Sequence, residues 1–157
     1  MRARSFSGEQ YNGLKSALRR LCGLHGGQDA ASFCTRVSQQ HISRCVNPSH
    51  DAEFATIDVV MDLEKGMEPL VTRELARMGG YFLLRRPECA GGSAALMQAS
   101  GAAMQECSEA FAAIGDALSD GKISAEEARN ITKEANEAME MMAALIEVVK
   151  AEVEDGE

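Results

Sequence analysis

Gln39, Gln40, Ser43 and Arg44 crowd into six residues and carry side chains suited to the edges of nucleic-acid bases. A carboxamide can pair with adenine N6 and N7, a guanidinium fork with guanine O6 and N7, and a hydroxyl with either. Arg44 is the strongest single reader, because a bidentate contact to guanine is worth about 1–3 kcal/mol of discrimination. Gln28, Arg36 and Ser38 are assigned to phosphate oxygens, through side chains and helix N-termini, and Asn47 to phosphate or base. Side chains like these read a duplex only when a rigid element presents them together.

The run from residue 26 to residue 48 supplies such an element: a helix, a tight turn and a second short helix. Ala30, Ala31, Phe33 and Cys34 offer small or apolar residues to face the second helix, and the turn falls at Thr35, Arg36 and Val37. Ser38 is an N-cap, since its hydroxyl can accept a free backbone N–H at a helix start. Ile42, Cys45 and Val46 recur at helical spacing and form the inward stripe, which leaves Gln39, Gln40, Ser43, Arg44 and Asn47 outside. Proline at 48 disfavours continuation.

Charge is distributed unevenly along the 157 residues. The net value is −8, yet residues 1–50 hold seven basic groups (Arg2, Arg4, Lys15, Arg19, Arg20, Arg36, Arg44) against two acids, Glu9 and Asp29. The N-terminal part is therefore +5 and the remainder −13. Charges beyond about 10 Å are largely screened at moderate salt, so the basic part can attract phosphate locally.

Composition points to helices. There are two Tyr, five Phe and no Trp, too few to supply the aromatic runs that strands prefer. A first helix is expected from residue 8 to 24, with Tyr11, Leu14, Leu18 and Leu21 on one face and Gly26-Gly27 ending it. Thr56 should cap a helix whose apolar positions are Ile57, Val60, Met61 and Leu63. Pro69 should open the next, with Leu70, Val71, Leu75 and Met78 inward and Gly79-Gly80 at its end. Tyr81 to Leu84 reads as an apolar clamp under this bundle, and residues 85–93 as a linker.

Two long helical patterns follow, 94–118 and 125–153. Gly121 suits a left-handed stop, and Ser124 with Glu127 is a capping box. On the last helix Ala128, Ile131, Ala135, Ala138, Met142, Leu145 and Val149 alternate three and four apart as a heptad seam. On the preceding one Met97, Met104, Phe111 and Leu118 recur every seven, with Gly101, Ser108 and Gly115 between them. An antiparallel hairpin follows, with more apolar surface than one partner covers. Self-association through Ile131, Ala135, Ala138, Met142, Leu145 and Val149 is therefore expected.

Other chemistries find weaker footing. The five cysteines, at 22, 34, 45, 89 and 107, form an odd set and are expected to be reduced. Cys22, His25, Cys34, His41, Cys45 and His50 lack the paired spacing of a zinc site, so no metal is expected. Residues 116–127 resemble a calcium loop except at the third position, where Leu118 replaces an oxygen ligand. No His-carboxylate pair, phosphate-binding loop or nucleophile motif stands at catalytic spacing, so neither an enzyme nor a cofactor is expected. No apolar stretch reaches 18 residues and the N-terminal segment lacks a signal-peptide core, so the expectation is a soluble cytoplasmic protein without a membrane partner.

Gly26-Gly27, Thr35-Arg36-Val37-Ser38, Ile42-Ser43-Arg44, Asn47-Pro48, the run Asp58 to Glu64 and the run Glu68 to Arg73 together resemble the CII-like regulatory proteins of phages and prophages. The similarity spans roughly residues 8–153 and extends to the turn from Asp120 to Glu127. It implies an all-α fold: a five-helix, lambda-repressor-like helix-turn-helix bundle over residues 1–84, the linker, and a helical hairpin for assembly over 94–157. It also implies a transcription regulator that binds repeated half-sites of double-stranded DNA as a homo-oligomer, with RNA polymerase or another phage or host protein as a further partner. The competing reading is an adaptor that meets a basic protein through the acidic face of Glu134, Glu137, Glu140 and Glu147.

Overall fold

The computed structural model describes residues 4–87, 92–119 and 121–154. They form seven α-helices, and there is no strand among them. In chain order these are α1 (Gly8–Leu24), α2 (Gln28–Ser32), α3 (Gln39–Val46), α4 (Ile57–Glu64), α5 (Leu70–Gly79), α6 (Ser93–Ala117) and α7 (Ala125–Glu154). The chain divides into two compact units, Met1–Leu83 and Leu84–Glu157.

In the first unit α1 is the central element, packed against each of the other four helices. Its start is fixed by a capping box in which the Ser7 hydroxyl accepts from the Gln10 backbone N–H and the Gln10 side chain accepts from that of Ser7. Leu18, Leu21 and Cys22 are buried from this helix. They meet Ala31 of α2, Ile42, Cys45 and Val46 of α3, Val59, Val60 and Leu63 of α4, and Leu70 and Val71 of α5. Burying a side chain of the Val or Leu class contributes about 1.5–3 kcal/mol, so this single cluster is what holds five short helices together.

Glu64 does two jobs at the α4–α5 junction. As the last residue of α4 it accepts at Oε1 from the backbone N–H groups of Val71 and Thr72, at 2.7 and 3.0 Å. The free N–H groups that start α5 are thus met by the end of α4, and Pro69 at the N-cap has no N–H to satisfy. At the far end of α5, Gly80 adopts φ 75°, and the N–H of Tyr81 returns to the Ala76 carbonyl at 2.8 Å. A side chain at residue 80 would be strained there.

Several sequence expectations give way in this unit. Phe33 and Cys34 do not face α3. Phe33 is 84 % exposed, because α2 stops after five residues and only Ala31 turns inward. Ile57, Met61 and Leu75 are exposed, whereas Val59 is buried. A two-turn α4 can bury only one narrow stripe, and Val59, Val60 and Leu63 occupy it. Ile57 and Met61 instead rim an open apolar groove with Tyr11, Phe54 and Leu75. Thr56 caps α4 by position, but its hydroxyl accepts from Arg36 Nη2 at 3.4 Å. Tyr81 to Leu84 are exposed and form no clamp; beyond the left-handed Gly80 the Tyr81 ring lies close against Gly79.

In the second unit α6 and α7 pack along one another. The N–H of Gly92 reaches the Glu152 carboxylate, and Glu106 lies within 4.8 Å of Glu134 and Glu137, so α7 returns along α6. Gly121 takes φ 76° in the connection, and Ser124 with Glu127 forms the reciprocal capping box that starts α7. Part of the expected linker, residues 88–91, lies outside the described residues, as does Asp120 of the calcium-like stretch. The contact line corrects the expected seam. On α6 it runs through Ala103, Ala110 and Ala117, and Met97, Met104, Phe111 and Leu118 are 78, 73, 74 and 56 % exposed. On α7 Ala138 and Val148 are buried, whereas Met142 and Val149 are exposed. Alanine lets the two backbones approach and seat the larger side chains of α7; a Met/Phe stripe would hold them apart.

Candidate functional site

Two turns of helix, α3, are held at both ends by other parts of the first unit. At the start the Ser38 hydroxyl accepts from the His41 N–H at 3.4 Å. At the end Lys15 Nζ donates to the carbonyls of Cys45, His50 and Glu53 at 3.0, 3.0 and 2.6 Å. Arg19 Nη2 donates to the Val46 carbonyl at 2.8 Å. Two cations of α1 therefore meet the negative end of the α3 dipole and its free carbonyls. Lys15 is 2 % exposed and stacks 4.4 Å from the Phe54 ring centroid. Burial pushes its pKa down, and Cys45 and Glu53 oppose that shift.

Ile42, Cys45 and Val46 fill the buried side of α3. Helical spacing puts residues 39, 40, 43, 44 and 47 on the opposite arc. Gln39 and Gln40 are exposed in the first turn and Ser43 is half-buried. Arg44 is not free: its Nε lies 3.2 Å from Glu53 Oε2, and the same carboxylate approaches His50 Nδ1 at 3.8 Å. Asn47, at the C-cap, accepts at Oδ1 from the Ser49 N–H at 2.9 Å.

The residues assigned to phosphate are placed unequally. Gln28 opens α2 and is half-buried, and the Ser38 hydroxyl serves as the cap just described. Arg36, in the connection between α2 and α3, is paired through Nε with Asp58. That hydrogen bond, with a second from Thr56, holds the Asp58 carboxyl well below the usual carboxylate range. The positive surface is accordingly smaller than the count of seven suggests. Lys15 is buried inside the fold, Arg19 is exposed but commits Nη2 to the Val46 carbonyl, Arg36 and Arg44 face carboxylates, and Arg2 lies outside the described residues.

Lys15, Arg19 and Glu53 are the members of this site that local patterning missed. They act across sequence separations of 27 to 38 residues and, for Glu53, from the loop beyond Pro48. No helical period marks them. Lys15 alone carries a hint, since it follows Leu14 on the apolar side of α1 and interrupts that stripe.

Cys22 and Cys45 are buried, and burial raises both thiols. Cys34 is exposed, with Sγ 3.7 Å from His25 Nδ1, while Cys89 lies outside the described residues. In the second unit Glu106, Glu134 and Glu137 cluster, and Lys133 donates to the latter two at 3.0 and 2.9 Å. Of the residues assigned to assembly, Ala138 is buried against α6, Ile131, Ala135 and Leu145 are half-buried, and Met142 and Val149 are exposed. No helix among the described residues is long and apolar enough to cross a membrane.

The chain matches the family described as phage regulatory protein CII (CP76) over residues 35–152. The match opens in the connection before α3 and ends within the last turn of α7, so it covers the outward arc of α3, all of α6 and nearly all of α7, and leaves α2 outside. No curated protein and no solved structure matches it. An all-helical chain with a clamped, polar-faced α3, matched over most of its length, belongs to the phage regulatory protein CII family.

Proposed function

We propose that this member of a phage regulatory family is a sequence-specific transcription regulator in which α2 and α3 act as a helix-turn-helix, with α3 lying in the major groove of double-stranded DNA. The observation that carries the reading is the build of α3. One face is buried, both ends are bonded to the rest of the unit, and the outward arc holds Gln39, Gln40, Ser43 and Arg44. A helix immobilised in this way can present base-reading groups without losing further backbone conformational entropy on binding. Gln28, Arg36, Ser38 and Asn47 lie at the flanks, where phosphates would run.

Arg44 and Arg36 each rest on a carboxylate in the free protein. Binding exchanges Glu53 for a guanine edge and Asp58 for a phosphate, and the displaced acids repel DNA that offers no compensating contact. This arrangement favours specific over nonspecific complexes. The α6–α7 unit brings two such modules together, and half-sites one helical turn apart, about 34 Å, would be engaged by an oligomer.

Selection of bound duplexes from a random library at near-physiological salt tests this, with Arg44→Ala alongside. Enrichment of a repeated half-site that is lost in the variant supports the reading. Absence of any enrichment overturns it in favour of an adaptor acting through the acidic face of α7.

A further inference from the structure

The apolar groove of the first unit lies beside a cation that has no acidic partner among the described residues. Arg4 is exposed and stands over two rings of the groove wall, its guanidinium carbon 4.8 Å from the Tyr11 centroid and 5.4 Å from that of Phe54. The rings themselves are 5.5 Å apart and tilted against each other. Cation–π attraction holds the guanidinium there, whereas Arg36, Arg44, Arg73 and Arg77 of the same unit each face a carboxylate.

The groove itself is uncharged. Ile57 and Met61, one turn apart on α4, are 78 and 68 % exposed, and Leu75 of α5 is 48 % exposed. Single exposed apolar residues are ordinary on a protein surface, but these come from separate elements and border one hollow with Tyr11 and Phe54. Among the described residues no acidic or basic side chain lines it. The Thr72 hydroxyl in its wall is already given to Glu64, and Cys45 is buried.

Size narrows the occupant. The hollow measures about 250 Å³. An apolar cavity of about 150 Å³ holds benzene, so in proportion this one takes about ten carbon atoms. A docked helix would need a longer trough, with anchors at i, i+4 and i+7. The volume suits one compact molecule. Charge narrows it further. A guanidinium fork is met bidentately by a carboxylate, an ammonium head would meet Arg4 as a like charge, and a neutral head would leave it without a counter-ion.

We infer that the groove is a binding site for a small amphiphilic carboxylate, its hydrocarbon body of about ten carbon atoms covered by Ile57, Met61 and Leu75 and its head met by Arg4. The site backs onto the α3 clamp, since Cys45 of α3 is in its wall and Lys15, which stacks on Phe54, holds the last carbonyls of that helix. A molecule that binds only the folded chain stabilises this unit by mass action. Binding is read without DNA, so it stands or fails separately from the function proposed above.

Titration of the full chain with decanoate, followed at the Met61 methyl resonance, tests the site. A saturable shift below millimolar concentration is expected, with a rise in the melting temperature of the first unit and at least tenfold weaker binding of decylammonium. Arg4→Gln should weaken decanoate about tenfold and leave decanol unchanged, which separates the head from the body. Ile57→Glu, at a position the core does not use, should abolish decanoate binding with the helical circular dichroism kept. No saturable shift at millimolar decanoate, equal affinity for decylammonium, or unchanged decanoate binding by Arg4→Gln would each overturn the site. A groove that takes an acidic amphipathic peptide and not decanoate would overturn it in favour of a protein partner.

Discussion

Arg44 and Glu53 set a balance that a single substitution should tip. Glu53→Gln keeps the backbone carbonyl that Lys15 uses and removes the carboxylate that holds Arg44. Affinity for nonspecific duplex should rise several-fold and selectivity between operator and random duplex should fall, measured by fluorescence anisotropy against salt concentration. Arg36 and Asp58 give a pH-dependent counterpart. The Asp58 carboxyl is depressed in the folded chain, chiefly by its hydrogen bond from Arg36. The stabilisation it contributes is therefore present above the unfolded carboxylate pKa and is lost as pH falls through the lower folded value. Both partners are largely exposed, so the effect on global stability is small. The carboxyl chemical shift of Asp58 should titrate acid of the usual range, and Arg36→Ala should return it toward that range.

Lys15 belongs to the same site but acts through α3 as an element. Replacing it with Met removes the Lys15 donor from the Cys45 and Glu53 carbonyls, while the His50 carbonyl keeps the Glu53 N–H, at a cost of about 2–3 kcal/mol. Urea unfolding should show that loss, and amide exchange should quicken first in α3, because its last carbonyls are the ones released. The α7 start is a more local case. Ser124→Ala breaks the capping box with Glu127 and should cost about 1 kcal/mol of helix stability, visible as a lower melting temperature of the α6–α7 unit. Elements of this kind were legible in advance. Ser38, Ser124, Gly80 and Gly121 sit where backbone geometry demands those residue types. The ends of α2 were not, since Ala30 to Cys34 permit a longer helix and only packing against α3 selects the short one.

At the scale of the whole molecule the first unit has its own core and the second its own contact line, with the acidic charge concentrated in the latter. A fragment of residues 1–87 should therefore unfold cooperatively by itself, sediment as a single chain, and bind an operator about 10²-fold more weakly than the full chain through loss of the second module. A fragment that retains full affinity would remove α6–α7 from the binding function. The same separation explains why the basic count of the first fifty residues overstated the surface available to phosphate. Charge is additive along a sequence, but Lys15 is withdrawn from the surface, and one guanidinium nitrogen of the exposed Arg19 is committed, by carbonyls that only the folded chain brings to them.

By itself the sequence determined the helical class, the order of the seven helices and the caps at Ser38, Gly80 and Ser124, because these depend on neighbours within four residues. It also determined that α3 has a polar arc, since Ile42, Cys45 and Val46 leave one way for that helix to lie. Only the tertiary structure decided which of two apolar stripes on α6 turns inward. Ala103, Ala110 and Ala117 and the stripe of Met97, Met104, Phe111 and Leu118 both repeat every seven residues, and hydrophobicity favours the second. Backbone approach favours the first, because the gain from close packing along α7 is a property of the pair and is invisible in either helix alone.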